Sequence, residues 1–191
     1  MMRFSELEKL ALAAGFSCAA PLAMDTIELK PEVREMCASG NCAKYGTSWS
    51  CPPACGALED CRARVAQCAS GILVQTVGAL EDVWDGEGML AAEARHKESF
   101  RRLHAALRQK GAQVLALGAG CCTSCAACSY PDASCRRPQE MTSSMEAYGI
   151  LVNEVCRRNG LRYYYGANAI AYTGCFLFRE EGSAHGRSGD L

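Results

Sequence analysis

The sequence predicts an α/β (α+β mixed) fold, a single compact domain whose central sheet contains a βαβ unit and which carries two cysteine-rich loops. A nearly continuous apolar run at residues 72–77 is typical of a strand that is covered on both faces. A helical pattern from about residue 88 to 110 separates this run from a second apolar run at 113–117. Strand, crossover helix and strand form a βαβ unit, which predicts two parallel neighbouring strands.

The N-terminal part is predicted to hold a helix, a short strand and an irregular loop. Apolar residues at helical spacing predict the helix over 4–14, with Ser5 and Glu8 as its capping pair. Alternating residues at 26–29 predict the strand. The segment 37–55 is rich in Gly, Asn, Ser and Pro and has no period, so something other than a hydrophobic face must hold it.

The C-terminal part is predicted to add a helix and two strands. Ser143 and Glu146 have the spacing of a capping box, which predicts a helix over 143–156 and explains Glu146 without a catalytic role. Apolar and aromatic residues at 161–165 and 169–178 predict two strands joined by a turn.

Four cysteines outside the two cysteine-rich loops are predicted to pack in the core. A helix is predicted over 58–69, and Cys61 and Cys68 lie seven residues apart on one face of it. A buried free cysteine behaves as a small apolar residue, so we expect these two, like Cys156 and Cys175, to pack in the core.

Composition and charge restrict the class of protein. The chain has 14 cysteines among 191 residues and no pattern of a secretory signal, so we expect a cytoplasmic protein whose clustered thiols are ligands or redox groups. No window is apolar enough to span a membrane, and no basic stripe with aromatics indicates nucleic-acid binding. The compact domain is predicted over 1–179, followed by a flexible tail at 180–191.

The second cysteine-rich loop has the spacing C-x2-C-x2-C-x6-C. Its cysteines are Cys122, Cys125, Cys128 and Cys135. Two successive two-residue gaps with a fourth cysteine nearby are typical of a [4Fe–4S] cluster, whereas zinc, the alternative metal, needs only pairs. Gly118 and Gly120 would let backbone N–H groups approach the cluster, and Arg136 would offset its negative charge. The six-residue gap before Cys135 leaves open that the first loop supplies the fourth ligand.

The first cysteine-rich loop is the other predicted metal-binding loop. Its candidate ligands are Cys37, Cys42, Cys51 and Cys55. Pro52 and Pro53 stiffen the chain after Cys51 and would fix the direction of its sulfur. The spacing fits neither common zinc pairs nor a standard ferredoxin. One shared metal site and two separate sites both remain open.

Both loops resemble a known family. The first motif is R-x2-C-x4-C-x2-Y-G-x2-W-S-C-P-P from Arg34, and the second runs from Cys122 through Cys135-Arg136-x-Pro138 to S-M-E-A-x-G-I at 144–150. These motifs resemble the predicted metal-binding proteins catalogued as domain of unknown function 2284, over about residues 5–178. The resemblance implies a small cytoplasmic metal-binding protein of anaerobic bacteria and archaea. The family pattern includes seven of the candidate cysteines and leaves out Cys55, Cys61, Cys68 and Cys121.

Three functions follow as hypotheses. The first is an iron–sulfur protein with one [4Fe–4S] cluster, or two, which serves electron transfer or a redox role in anaerobic metabolism, with a redox partner protein as a candidate partner. The second is an enzyme in which Cys37, Cys42 and Cys51, without Cys55, hold a cluster with an open iron. The third is a zinc-binding or metal-delivery module. The sequence leaves open whether the protein is an enzyme and which oligomeric state it adopts.

Overall fold

A computed structural model describes residues 2–40 and 42–179, in which one sheet is covered by helices. The strands are β1 (Cys18–Leu22), β2 (Cys68–Ala79), β3 (Val114–Gly118), β4 (Ser143–Ser144) and β5 (Ala169–Arg179). The helices are α1 (Phe4–Ala14), α2 (Pro31–Ala38), α3 (Leu58–Val65), α4 (Gly86–Gln109) and α5 (Val152–Arg158). Two 3₁₀ turns lie at Met24–Thr26 and Glu146–Tyr148. This confirms the predicted mixed α/β single domain.

The sheet is mixed, with the strand order β1-β2-β5-β3-β4. Strand β5 pairs antiparallel with both β2 and β3, so β2 and β3 run parallel to each other with β5 between them. The prediction of two parallel strands joined by helix α4 is therefore right in direction. The prediction that the two strands are neighbours is wrong, because the apolar C-terminal strand β5 lies between them. Strand β2, helix α4 and strand β3 therefore form a split βαβ unit.

Alternate residues of the central strands pack into two separate cores. Ile72 and Val74 of β2 face α1 and α4, while Leu73 faces the opposite core, which holds α3 and α5. On the α4 side, Phe100 stacks on Phe176 with 4.3 Å between the ring centroids, a contact worth about 1 kcal/mol beyond its buried area. The continuous apolar run of β2 thus reflects burial on both faces, as predicted.

Two N-terminal predictions need correction. Helix α1 has its predicted span, but its cap is formed by Arg3, whose backbone N–H donates to Glu6 Oε2 at 3.0 Å, and not by Ser5 and Glu8. The strand predicted at 26–29 is wrong: Leu29 makes an isolated bridge to Ile150. The edge strand is β1 instead, and it tolerates a proline because an edge strand leaves some N–H groups unpaired.

Two predicted helices also differ from the structure. Helix α3 ends at Val65, because β2 begins at Cys68 and places that cysteine on a strand. No helix begins at Ser143, because residues 143–144 pair with the end of β3 as strand β4. The capping-box role of Glu146 is therefore wrong.

Two further segments differ from the predictions, residues 161–165 and helix α2. The stretch 161–165 forms no strand. Helix α2 was not predicted, although Pro31 at its first position is a common helix start. No helix among the described residues is long and apolar enough to cross a membrane. The predicted tail at 180–191 lies outside the described residues.

Candidate metal centre

The second cysteine loop leaves the carboxyl end of strand β3, where ligands of α/β sheets often bind. The loop folds so that four predicted ligands line one cavity: Cys122, Cys125, Cys128 and Cys135. Cys128 is exposed and the other three are partly buried. Residues spread over the loop therefore border one cavity.

Few backbone hydrogen bonds stabilise the second cysteine loop. Among the described residues 121–135, one such bond lies within the loop, from the Ala133 N–H to the Ser129 carbonyl at 2.9 Å. The Arg136 guanidinium donates to the Ala127 carbonyl and also lines the cavity. A loop with so few backbone hydrogen bonds and no hydrophobic core depends on a ligand or a neighbouring loop for its order.

The neighbouring loop is the first cysteine loop, which closes the cavity from the other side. Trp49 Nε1 donates to the Ala133 carbonyl at 3.0 Å, and the Trp49 ring meets Tyr130 edge to face at 5.0 Å. The Cys122 N–H donates to Ser50 Oγ at 3.1 Å. The two cysteine loops therefore meet at one place, a question that the sequence left open.

A pair of thiols lies at this junction. Ser50 Oγ lies 3.8 Å from the sulfurs of both Cys51 and Cys121, and Ser48 Oγ lies 3.4 Å from the Cys121 sulfur. Interaction between the two thiols lowers the pKa of Cys121 and raises the pKa of Cys51. Cys121 was not among the predicted ligands. Its position directly before Cys122 was the one signal in the sequence.

Cys55 lies away from this cavity, in a second thiol pair. The Arg34 guanidinium lies 3.8 Å from the Cys55 sulfur and 3.9 Å from that of Cys61, so both thiols contact the same cation. Interaction with the Cys55 thiol lowers the pKa of Cys61. Cys61 is fully buried, as a core cysteine would be, yet its sulfur also contacts a cation.

Cys37 and Cys42 lie in a third environment, a cavity separate from both thiol pairs. They line a cavity of about 340 Å³ together with Glu146 and Tyr163. Burial raises the pKa of the Cys37 thiol, and Cys42 adds to the effect. Burial also raises the pKa of the Glu146 carboxyl. The four cysteines predicted as ligands in the first loop are therefore divided among three environments.

The predicted glycines lie beside the thiol-lined cavity rather than on it. Gly118 and Gly120 line a second, larger cavity between α4 and the loop. Gly120 has a φ of 68°, a conformation that favours glycine. Of the three residues expected to assist a cluster, Arg136 is thus the one that lines the cavity with the thiols.

The side chains present fit a soft metal centre in their chemistry. The cavity offers four thiols and no carboxylate among its described lining, a set that suits iron–sulfur clusters or zinc. No three His, Cys, Asp or Glu side chains within residues 2–40 and 42–179 are arranged to hold a metal ion. The volume of this cavity is about 30 Å³.

Comparison with known proteins gives one match. A family model described as predicted metal-binding protein (DUF2284) matches residues 20–178. This span contains both cysteine loops. No curated protein and no solved structure gives a significant match.

Proposed function

The chain belongs to the DUF2284 family of predicted metal-binding proteins, and on that premise we propose that it carries a [4Fe–4S] cluster on its second cysteine loop. The observation that carries the proposal is the common cavity lined by the four thiols of this loop. The proposed ligands are Cys122, Cys125, Cys128 and Cys135. Their spacing along the chain and their shared cavity support the same assignment.

A bound cluster would supply one-electron transfer, at a potential set by hydrogen bonds to sulfur and by exposure to solvent. Arg136 brings a positive charge to the cavity and would stabilise the anionic cluster. Trp49 and Ser50 of the first loop cover one side and restrict water. Exposed Cys128 leaves one edge near solvent, which suits electron exchange with a docked redox partner protein.

The alternative with an open iron on three cysteines of the first loop has less support. It requires Cys37, Cys42 and Cys51 to converge. Cys51 instead contacts Cys121, whereas Cys37 and Cys42 line a separate cavity. We therefore place the proposed electron-transfer or redox role first.

The proposal is tested by Cys125→Ser against a matched Cys18→Ser control. Cys18 lies on strand β1, far along the chain from either loop, and its sulfur hydrogen-bonds Gln75 Oε1 at 3.5 Å, a contact that serine can keep. In protein purified without oxygen, Cys125→Ser should lose iron and sulfide, while Cys18→Ser should keep both. Equal iron and sulfide contents in the two variants would contradict the assignment of Cys125 as a ligand.

A further inference from the structure

The larger of the two cavities beside the second cysteine loop, which the proposed cluster does not use, lies between helix α4 and the loop that leaves β3. Its volume is about 290 Å³. Cys122 and Ser124 line both this cavity and the thiol-lined one, so the two cavities adjoin. A molecule bound in the larger cavity would therefore lie beside the candidate metal centre.

The cavity follows one face of α4 over several turns. His96, Phe100, His104 and Arg108 recur at intervals of four residues, and all of them line it. Twelve residues of helix span about 18 Å, and the Arg108 side chain leans back toward the helix N-terminus, which shortens the free length. The cavity is therefore elongated, with an aromatic side chain in its middle.

One end of the cavity is positively charged. Arg108 lines this end, while Lys97 and Arg101 lie further along the cavity. Glu140 is the single carboxylate among its described lining. Lys97 and Arg101 each pair with a glutamate of α4. Arg108 instead donates to Gln139 Oε1 at 2.7 Å, a neutral acceptor, so this contact leaves its charge uncompensated.

The other end carries a buried polar atom without a partner. His96 is fully buried; its Nδ1 lies 3.1 Å from Thr76 Oγ1, while Nε2 has no hydrogen-bond partner among the described residues. Phe16 and Phe100 pack around the ring and offer no polar group. An unpartnered buried ring nitrogen is costly, and a polar atom of a ligand would satisfy it.

The loop that leaves β3 lines the cavity with Gly118, Ala119 and Gly120, of which only Ala119 carries a side chain, a single methyl group. The cavity thus combines a cationic end, an aromatic middle and an unsatisfied polar end.

We propose that this cavity binds an elongated organic anion, with a carboxylate or phosphate group on Arg108 and a polar atom on His96 Nε2. The inference goes beyond the proposed cluster and does not require it, because none of its supporting contacts involves a metal ligand. The carboxylate and phosphate sources share the same charge chemistry, since a guanidinium binds both through paired hydrogen bonds.

Calorimetric titration of the protein as purified without oxygen tests the proposal with three probes. These are 6-(4-hydroxyphenyl)hexanoate, 5-(4-hydroxyphenyl)pentyl phosphate and the neutral 6-(4-hydroxyphenyl)hexanamide, whose chains are long enough to extend from Arg108 toward His96. At least one anionic probe should bind saturably at one site per chain, and the neutral amide should bind at least about tenfold more weakly. The tighter anionic probe identifies the preferred charged group. Failure of both anions to bind saturably at millimolar concentration overturns the proposal.

Matched variants locate the site. Arg108→Gln should weaken binding of the anion by about tenfold or more and leave the amide unaffected. Arg102→Gln is the control, because Arg102 lies on the same helix, is exposed and pairs with Glu98. His96→Leu should weaken all three probes if it folds; if it does not fold, the arginine pair decides. Equal affinity in the two arginine variants would contradict the assignment.

Discussion

Cys51 of the first cysteine loop and Cys121 of the second contact the same hydroxyl group, since Ser50 Oγ lies 3.8 Å from each of the two sulfurs. The contact joins the two loops directly beside the cavity that holds the proposed cluster ligands. It follows that the first loop acts on the second as a structural partner, through Cys51 and through the tryptophan and serines around it.

Cys55 should not be a ligand. Its sulfur faces Cys61 and Arg34, away from the thiol-lined cavity. We expect Cys55→Ser to leave the iron and sulfide content of anaerobically purified protein unchanged, while the melting temperature falls because a buried thiol pair is broken. Metal analysis and thermal melting check this, and loss of iron in Cys55→Ser would return Cys55 to the ligand set.

Trp49 should hold the two loops together. Trp49→Phe keeps an aromatic ring but removes the hydrogen bond to the Ala133 carbonyl, which should lower the free energy of unfolding by about 1 kcal/mol. We also expect the cluster to bleach faster in air, because water gains access to the cavity. Trp84→Phe is the control, since that side chain is 88% exposed. Identical melting and bleaching in the two variants would show that Trp49 plays no such part.

His96 should make the fold sensitive to acid. Burial lowers its pKa from 6.5 to about 4, so the folded protein resists a proton that the unfolded chain accepts. This stabilising contribution is complete above pH 6.5 and is lost as the pH falls toward 4, by about 3 kcal/mol in total. Denaturant unfolding at pH 7 and pH 4.5 should show a smaller loss in His96→Gln than in the native chain. An equal loss in both would be incompatible with this assignment.

Arg34 should stabilise the C-terminal end of the first cysteine loop. Its guanidinium donates to the Gly56 carbonyl at 2.8 Å and contacts both sulfurs of the Cys55–Cys61 pair. Arg34→Gln should therefore lower the free energy of unfolding by about 1–3 kcal/mol. Arg157→Gln, an exposed arginine on α5, should change it by less than about 0.5 kcal/mol. The idea fails if urea midpoints of the two variants coincide.

The elements predicted correctly are those whose pattern is long and local. The continuous apolar run of β2, the extended periodicity of α4 and the run of β5 each report burial directly in the sequence. The position of β5 between β2 and β3 depends on pairing between distant segments, which no local pattern encodes. The same holds for residues 143–144, whose conformation is set by their ladder to β3.

The candidate site divides in the same way. The short gaps between Cys122, Cys125 and Cys128 keep these residues close in any loop, so the sequence alone predicted that they share a place. The wider spacing of the first loop allows its thiols to diverge. Cys121 was missed because the groups that surround its sulfur, Ser48 and Cys51, come from the other loop.

The content of iron, acid-labile sulfide and zinc per chain, with the visible spectrum, tests the central claim most directly. Protein purified without oxygen should contain about four irons with matching sulfide and show a broad absorption in the blue. Serine variants at the four proposed ligands should lose both together. Zinc without sulfide in a colourless protein would contradict the cluster and leave the cysteines as a zinc-binding set.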